Sequence, residues 1–221
     1  MIALNLISNH IPPLKPTDTV ASAGVLMLDF KVNQLPMVSS DLTFLGLISD
    51  DDLIKISAKD TLLETLIKPN YTHFVYQQQH IYDVIKTVYE LQLSLVPVLN
   101  DTHKYLGLIS LNTLLENIAS LLSLPEKGAI IVLELNANDN SLAFIAQIIE
   151  SQDSKILSAS TRYLPLSTQV EITLKINKTD ISQILAALNQ HKIDVKKAFN
   201  HQNNYNNLAD RYQSLMNYLS F

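Results

Sequence analysis

The chain has 221 residues, 47% apolar and 17% charged, with sixteen basic against twenty-one acidic side chains, which excludes a disordered chain and leaves enough apolar material for two ordinary domains or one large one. The absence of cysteine excludes disulfides, thiolate metal sites and cysteine nucleophiles. The four glycines, Gly24, Gly46, Gly107 and Gly128, stand far apart, which excludes the dinucleotide fingerprint, the P-loop and the G-x-S-x-G nucleophile elbow.

No apolar run approaches the roughly twenty residues of a membrane-spanning helix. Met1 to Leu6 has neither the basic flank nor the cleavage site of a secretory signal. A cytoplasmic protein without a membrane partner is therefore expected.

In chain order, Thr17 or Asp18 caps a helix whose apolar face carries Val20, Ala23, Met27 and Phe30. Leu35 to Val38 forms a strand, Ser39 to Thr43 a polar turn, and Phe44 to Ile48 the returning strand. Ser49 ends that strand and starts a helix. Sixty-one residues later the pattern recurs without a gap: Pro36 falls on Pro97, Gly46 on Gly107, Ser49 on Ser110 and Leu53 on Leu114, while Val20, Ala23 and Met27 fall on Ile81, Val84 and Val88. One such unit cannot cover both faces of its small sheet, so the two copies are expected to pack about a pseudo-twofold axis.

Pro125 to Gly128 then reads as a linker. Beyond it Ala129 to Leu135 is a strand, Ser141 to Gln152 a helix with Leu142, Ile145, Ile148 and Ile149 inward, and Lys155 to Tyr163 a second strand. Val170, Ile172, Leu174 and Ile176 alternate with polar residues in a third. Asp180, with Gln183 three residues on, caps a helix bearing Ile181, Ile184, Leu185 and Leu188, and Asp194 to Phe199 is the last strand. This βαββαβ order is ferredoxin-like. Asn200 to Asn207 is a polar loop, and Leu208, Tyr212, Leu215 and Leu219 form one stripe of a final helix.

The repeated Leu35-Pro36-Met37-Val38 … Leu45-Gly46-Leu47-Ile48-Ser49 and Val96-Pro97-Val98-Leu99 … Leu106-Gly107-Leu108-Ile109-Ser110 resemble a tandem pair of CBS domains, the Bateman module. With the βαββαβ segment behind it, the layout is similar to the acetoin-utilisation group of CBS–ACT proteins. The resemblance implies an α+β chain with CBS repeats at residues 1–60 and 61–125, an ACT-like ferredoxin-fold domain at 128–200, and a loop and C-terminal helix at 201–221. It also implies a regulatory homodimer rather than an enzyme, with no required cofactor. The loop Asn136 to Ser141 lacks the glycine with which ACT domains approach an amino-acid carboxylate, so that ligand is not expected there.

In CBS pairs that bind adenosyl ligands, a hydroxyl residue and an aspartate three positions later sit beside the inter-repeat cleft, and the aspartate accepts from the ribose hydroxyls. Ser49 and Asp52 match that pattern, with Ile48 before them; Leu93, Ser94 and His73 map to the residues that complete the cleft. The carboxylate offers two acceptor oxygens to a vicinal diol, and Ser49 stands at a helix N-terminus that suits phosphate. In the second repeat Thr113 replaces the aspartate, which leaves at most one good site. Residues 1–127 hold eight lysines, no arginine and thirteen acids, a formal charge of −5 that favours AMP, adenosine or S-adenosylmethionine over ATP.

Two readings of this segment stand side by side: a ligand-sensing regulator, and an interaction module with vestigial clefts in which Ser49-x-x-Asp52 only caps its helix. Asp50 to Asp52 point in different directions on a helix and make a poor magnesium site. The six histidines lack metal-ligand spacing, and two arginines give no nucleic-acid footprint.

Overall fold

A computed structural model describes residues 1–8, 10–67, 73–138 and 141–200. The expected C-terminal loop and helix, residues 201–221, lie outside the described residues, as do Asp139 and Asn140 of the loop before the second domain's first helix. The chain divides into two compact units, Met1–Asn117 and Ile118–Phe221. Among the described residues no helix is long and apolar enough to cross a membrane.

The first unit holds α1 (Val20–Phe30), β1 (Gln34–Val38), β2 (Phe44–Ser49) and α2 (Asp50–Ile54), then β3 (Val75–Tyr76), α3 (Ile81–Leu91), β4 (Leu95–Leu99), β5 (Tyr105–Ser110) and the start of α4 (Leu111–Leu121). Thr19, one residue later than expected, caps α1: its hydroxyl accepts from Ser22 N at 3.2 Å while Ser22 Oγ accepts from Thr19 N at 3.0 Å. His80, sixty-one residues on, caps α3 in the same way with Asp83. Val20, Ala23 and Met27 are buried, as their spacing requires, but Phe30 is 37% exposed because the helix ends there and Lys31 turns left-handed.

The repeat holds at the level of single backbone angles. Left-handed residues recur sixty-one apart at Lys31 and Gln92 and at Leu42 and His103. Gly46 and Gly107 have φ of 139° and 153°, values that a side chain rarely tolerates, at matching bulges of β2 and β5. Each hairpin is antiparallel, and each gains a third, parallel partner absent from the sequence reading: Leu14 bridges to Met37, and β3 runs beside β4.

Exchange of the leading segments joins the two copies. Ile81 N donates to Met1 O and Val20 N donates to Thr61 O, both at 3.0 Å, so the stretch ahead of each repeat is pinned to the first helix of the other. The bridge between Thr43 and Lys104, also sixty-one apart, pairs equivalent positions and therefore marks the pseudo-twofold axis. Beside it Phe74 meets Phe44, Tyr76 and His103 edge-on at 5.3 to 6.0 Å.

The second unit contains β6 (Ala129–Asn136), α5 (Leu142–Glu150), β7 (Ile156–Tyr163), β8 (Gln169–Ile176), α6 (Ser182–Gln190) and β9 (Val195–Phe199). Its antiparallel sheet has the order β7-β8-β6-β9, the ferredoxin-like arrangement. One face is apolar: Ile131, Leu133, Ile172 and Leu174 are fully buried with Ile145, Ile148, Ile149, Ile184 and Leu188 of the two helices. Leu142 is 44% exposed, so α5 turns inward only from Ile145. The expected Asp180–Gln183 capping box does not form: Ile181 is the N-cap of α6 and makes no side-chain cap bond, while Asp180 accepts from the backbone and hydroxyl of Ser182. The other face carries a charge cluster in which Lys196 bridges Glu134 at 2.6 Å and Glu171 at 3.1 Å, and Arg162 donates to Glu171 at 2.9 Å. These cations hold the Glu171 carboxyl below its usual range, with Lys196 the largest influence.

The axis of the first unit carries one asymmetric clamp. Lys104 Nζ donates to Asp41 Oδ2 at 2.5 Å, to Asp41 O at 2.9 Å and to Thr43 Oγ1 at 2.9 Å. Lys104 first, then Ser39 and Thr43, hold the Asp41 carboxyl far below the normal carboxylate range. A carboxylate depressed on folding stabilises the native state above its unfolded pKa of about 3.9 and ceases to do so as pH falls toward the folded value. In acid-unfolding curves the chain should therefore exceed Asp41→Asn in stability at neutral pH, and the difference should shrink below about pH 4 and in high salt. A difference that stays constant with pH would sink the clamp.

Candidate functional site

The first strand–helix junction is built by hydrogen bonds that end β2 and start α2. Asp50 N donates to Asn33 O at 2.9 Å, which fixes where the chain turns. Ser49 Oγ accepts from Asp52 N at 3.2 Å and donates to Asp52 Oδ2 at 2.8 Å; Ser49 N donates to the same oxygen at 3.4 Å. The capping box is thus complete, and it holds the carboxylate beside the serine hydroxyl. Ile48 lies behind them at 2% exposure. The helix that follows is a single turn whose first three residues are Asp50, Asp51 and Asp52, so it offers an anion less than a longer helix would.

Of the other expected residues, Leu93 and Ser94 lie at the matching junction of the second repeat and His73 does not. Leu93, 3% exposed, closes the end of α3, its N–H donating to Val88 O. Ser94 O accepts from Leu111 N at 3.2 Å, the counterpart of the Asn33–Asp50 bond. His73 is half-buried, next to Phe74 of the aromatic cluster. Ile48, Ser49 and Asp52 therefore form one group, and the bonds made by Leu93 and Ser94 anchor those two residues to their own repeat.

At the second junction Ser110 Oγ accepts from Thr113 N at 3.2 Å and lies 3.1 Å from Thr113 Oγ1. A cavity of about 660 Å³ opens beside it, walled by Ser8, His10, Ser110, Thr113 and Glu116 among others. Hydroxyls stand here where the first junction has a carboxylate, the difference from which the sequence allowed at most one good site. The participation of Ile7, Ser8, His10 and Ile11 was missed, since they show no periodicity; Ser8 reaches the cleft by donating its N–H to Leu108 O at 2.8 Å. The segment sixty-one positions on, residues 68–72, lies outside the described residues.

One of two orphaned side-chain atoms belongs to a residue the sequence singled out, Ser94, and the other to one it did not, Gln34. Among the described residues Gln34 Oε1 and Ser94 Oγ are buried without a hydrogen-bond partner. Gln34 lies in register with Ser49, and Ser94 precedes Leu95, which lies in register with Ser110. Both orphaned atoms thus belong to the two junctions, where native proteins leave few polar groups unpaired without reason.

The CBS domain family model matches residues 3–59 and 66–120, more than half of the chain. The chain belongs to the CBS domain family. The structure of a CBS domain pair/ACT domain protein from Thermotoga maritima shares the fold of the CBS pair at 20% identity, over 55% of this chain and 99% of that one, with a TM-score of 0.50. CBSX2, solved in complex with AMP, is 20% identical over 54% of this chain and 96% of its own, with a TM-score of 0.47. A homoserine O-acetyltransferase of Methanocorpusculum labreanum is 27% identical over 116 residues, 52% of this chain; the chain spans only 23% of that protein's length. The α+β architecture is accordingly a CBS pair followed by an ACT-like domain of ferredoxin topology.

Proposed function

We propose that this CBS-pair protein is a ligand-sensing regulator, not an enzyme, that binds an adenosyl compound at the first junction and passes the change to its ACT-like domain or a partner. In this reading Asp52 accepts from the ribose, Ser49 orients it, and Ile48, His73, Leu93 and Ser94 complete the cleft. The carrying observation is the Ser49–Asp52 pair at the end of β2, set against Ser110–Thr113 at the end of β5. The acidic first turn of α2 and the absence of arginine from residues 1–127 favour adenosine, AMP or S-adenosylmethionine over ATP.

A ligand at one hundred times its dissociation constant stabilises the fold by about 2.7 kcal/mol. A thermal-shift panel of adenosine, AMP, S-adenosylmethionine and NAD should find at least one such ligand, and Asp52→Ala should abolish its effect while Thr113→Ala preserves it. Removal of the Asp52 cap itself should cost about 1 kcal/mol, so affinities are compared at matched folded fractions. Equal sensitivity at both positions would mean that the clefts had been misassigned.

The rival reading, an interaction module with vestigial clefts, is favoured by the complete capping box, which already employs Ser49 and Asp52. Both repeats also expose apolar helix residues: Val25, Leu28 and Ile54 in the first, Tyr82, Tyr89 and Leu115 in the second. Either reading includes a homodimer, in which a second copy covers such faces. Light scattering at micromolar concentration should give twice the 24.8 kDa chain mass; a monomer mass rules out the dimer.

A further inference from the structure

We propose that Gln34 is a ligand-binding residue of the first junction, its Oε1 accepting from one hydroxyl of a vicinal diol while Asp52 accepts from the other. This rests on the adenosyl reading and adds to it a second acceptor on a different strand. Gln34 and Ser49 are directly paired in the antiparallel β1–β2 ladder, so their side chains leave the same face as neighbours. The Gln34 oxygen is buried and unpartnered, a costly state that a ligand donor relieves. Asp52 Oδ2 already accepts from both the hydroxyl and the N–H of Ser49, so this oxygen alone is poorly placed to serve both hydroxyls of a diol.

The second repeat supplies an internal control. Sixty-one residues on, Gln34 becomes Leu95 and Asp52 becomes Thr113. The amide and the carboxylate are therefore lost together, and only the Thr113 hydroxyl stands in their place. Leu95 is fully buried and paired with Ser110 as Gln34 is with Ser49, so the fold accepts an apolar side chain at this register position. Stability does not call for the amide at Gln34; a polar ligand does.

The test is calorimetric titration of the full chain, its Gln34→Leu variant and its Gln34→Met variant with adenosine, 2′-deoxyadenosine and 3′-deoxyadenosine, alongside the melting temperature of each without ligand. Both substitutions should leave that temperature unchanged or raise it, because an unsatisfied buried polar atom has been removed. Adenosine should bind about tenfold more weakly to the variants, the effect of one lost hydrogen bond. One of the two deoxy analogues, already lacking the hydroxyl that Gln34 receives, should bind variants and parent alike. Equal weakening of all three ligands, unchanged adenosine affinity, or a fall in melting temperature for both variants overturns the role of Gln34 while leaving the adenosyl site standing. Absence of saturable adenosine binding to the unsubstituted chain overturns both.

Discussion

Everything in the first unit depends on the exchange of leading segments across the pseudo-twofold axis. A two-stranded hairpin is marginal in water and has two faces to bury. Each repeat meets that need with the other's chain: Met1 and Thr61 accept from Ile81 and Val20, and Leu6, Leu14 and Leu63 are fully buried in the unit's core. The two copies are consequently one folding unit, and the cavity at the second junction, walled by Ser8 and His10 of the leading segment with Ser110 and Thr113, is a product of that pairing. The Lys104–Asp41 clamp breaks the symmetry, since the residue sixty-one after Asp41 is Thr102.

Shared backbone with unshared chemistry follows from this arrangement. Capping serine, bulged glycine and left-handed turn are the same in both copies because the hairpin geometry requires them. Side chains that the geometry leaves free have diverged, and they lie at the junctions: Asp52 against Thr113, Gln34 against Leu95. A pair of sites built on one frame but lined differently can respond to one ligand by shifting only half of a symmetric unit. Such a shift requires unequal affinity for two arrangements.

The helices α1 and α3, the hairpins and the ferredoxin-like order were legible because their apolar residues repeat at helical or alternating spacing, and the ungapped register exposed the junctions. Other features carried no such signal. Leu14 and Val75 pair over one or two residues, too few for any periodicity. Thr17, Asp18 and Thr19 are all competent caps, and the choice among them depends on where the chain turns after Pro16. The Gln34–Leu95 difference was visible in the alignment, yet its meaning depends on burial of one oxygen, a property of packing.

The central claim is that the first junction, and not the second, receives the ribose of an adenosyl ligand. A crystal structure of the full chain grown with saturating adenosine tests it most directly. The account predicts a nucleoside with its ribose against Asp52 and none held in that manner at Thr113. A nucleoside bound only in the cavity beside Ser110 and Glu116, with Ser49 and Asp52 still closed in their capping box, would contradict it.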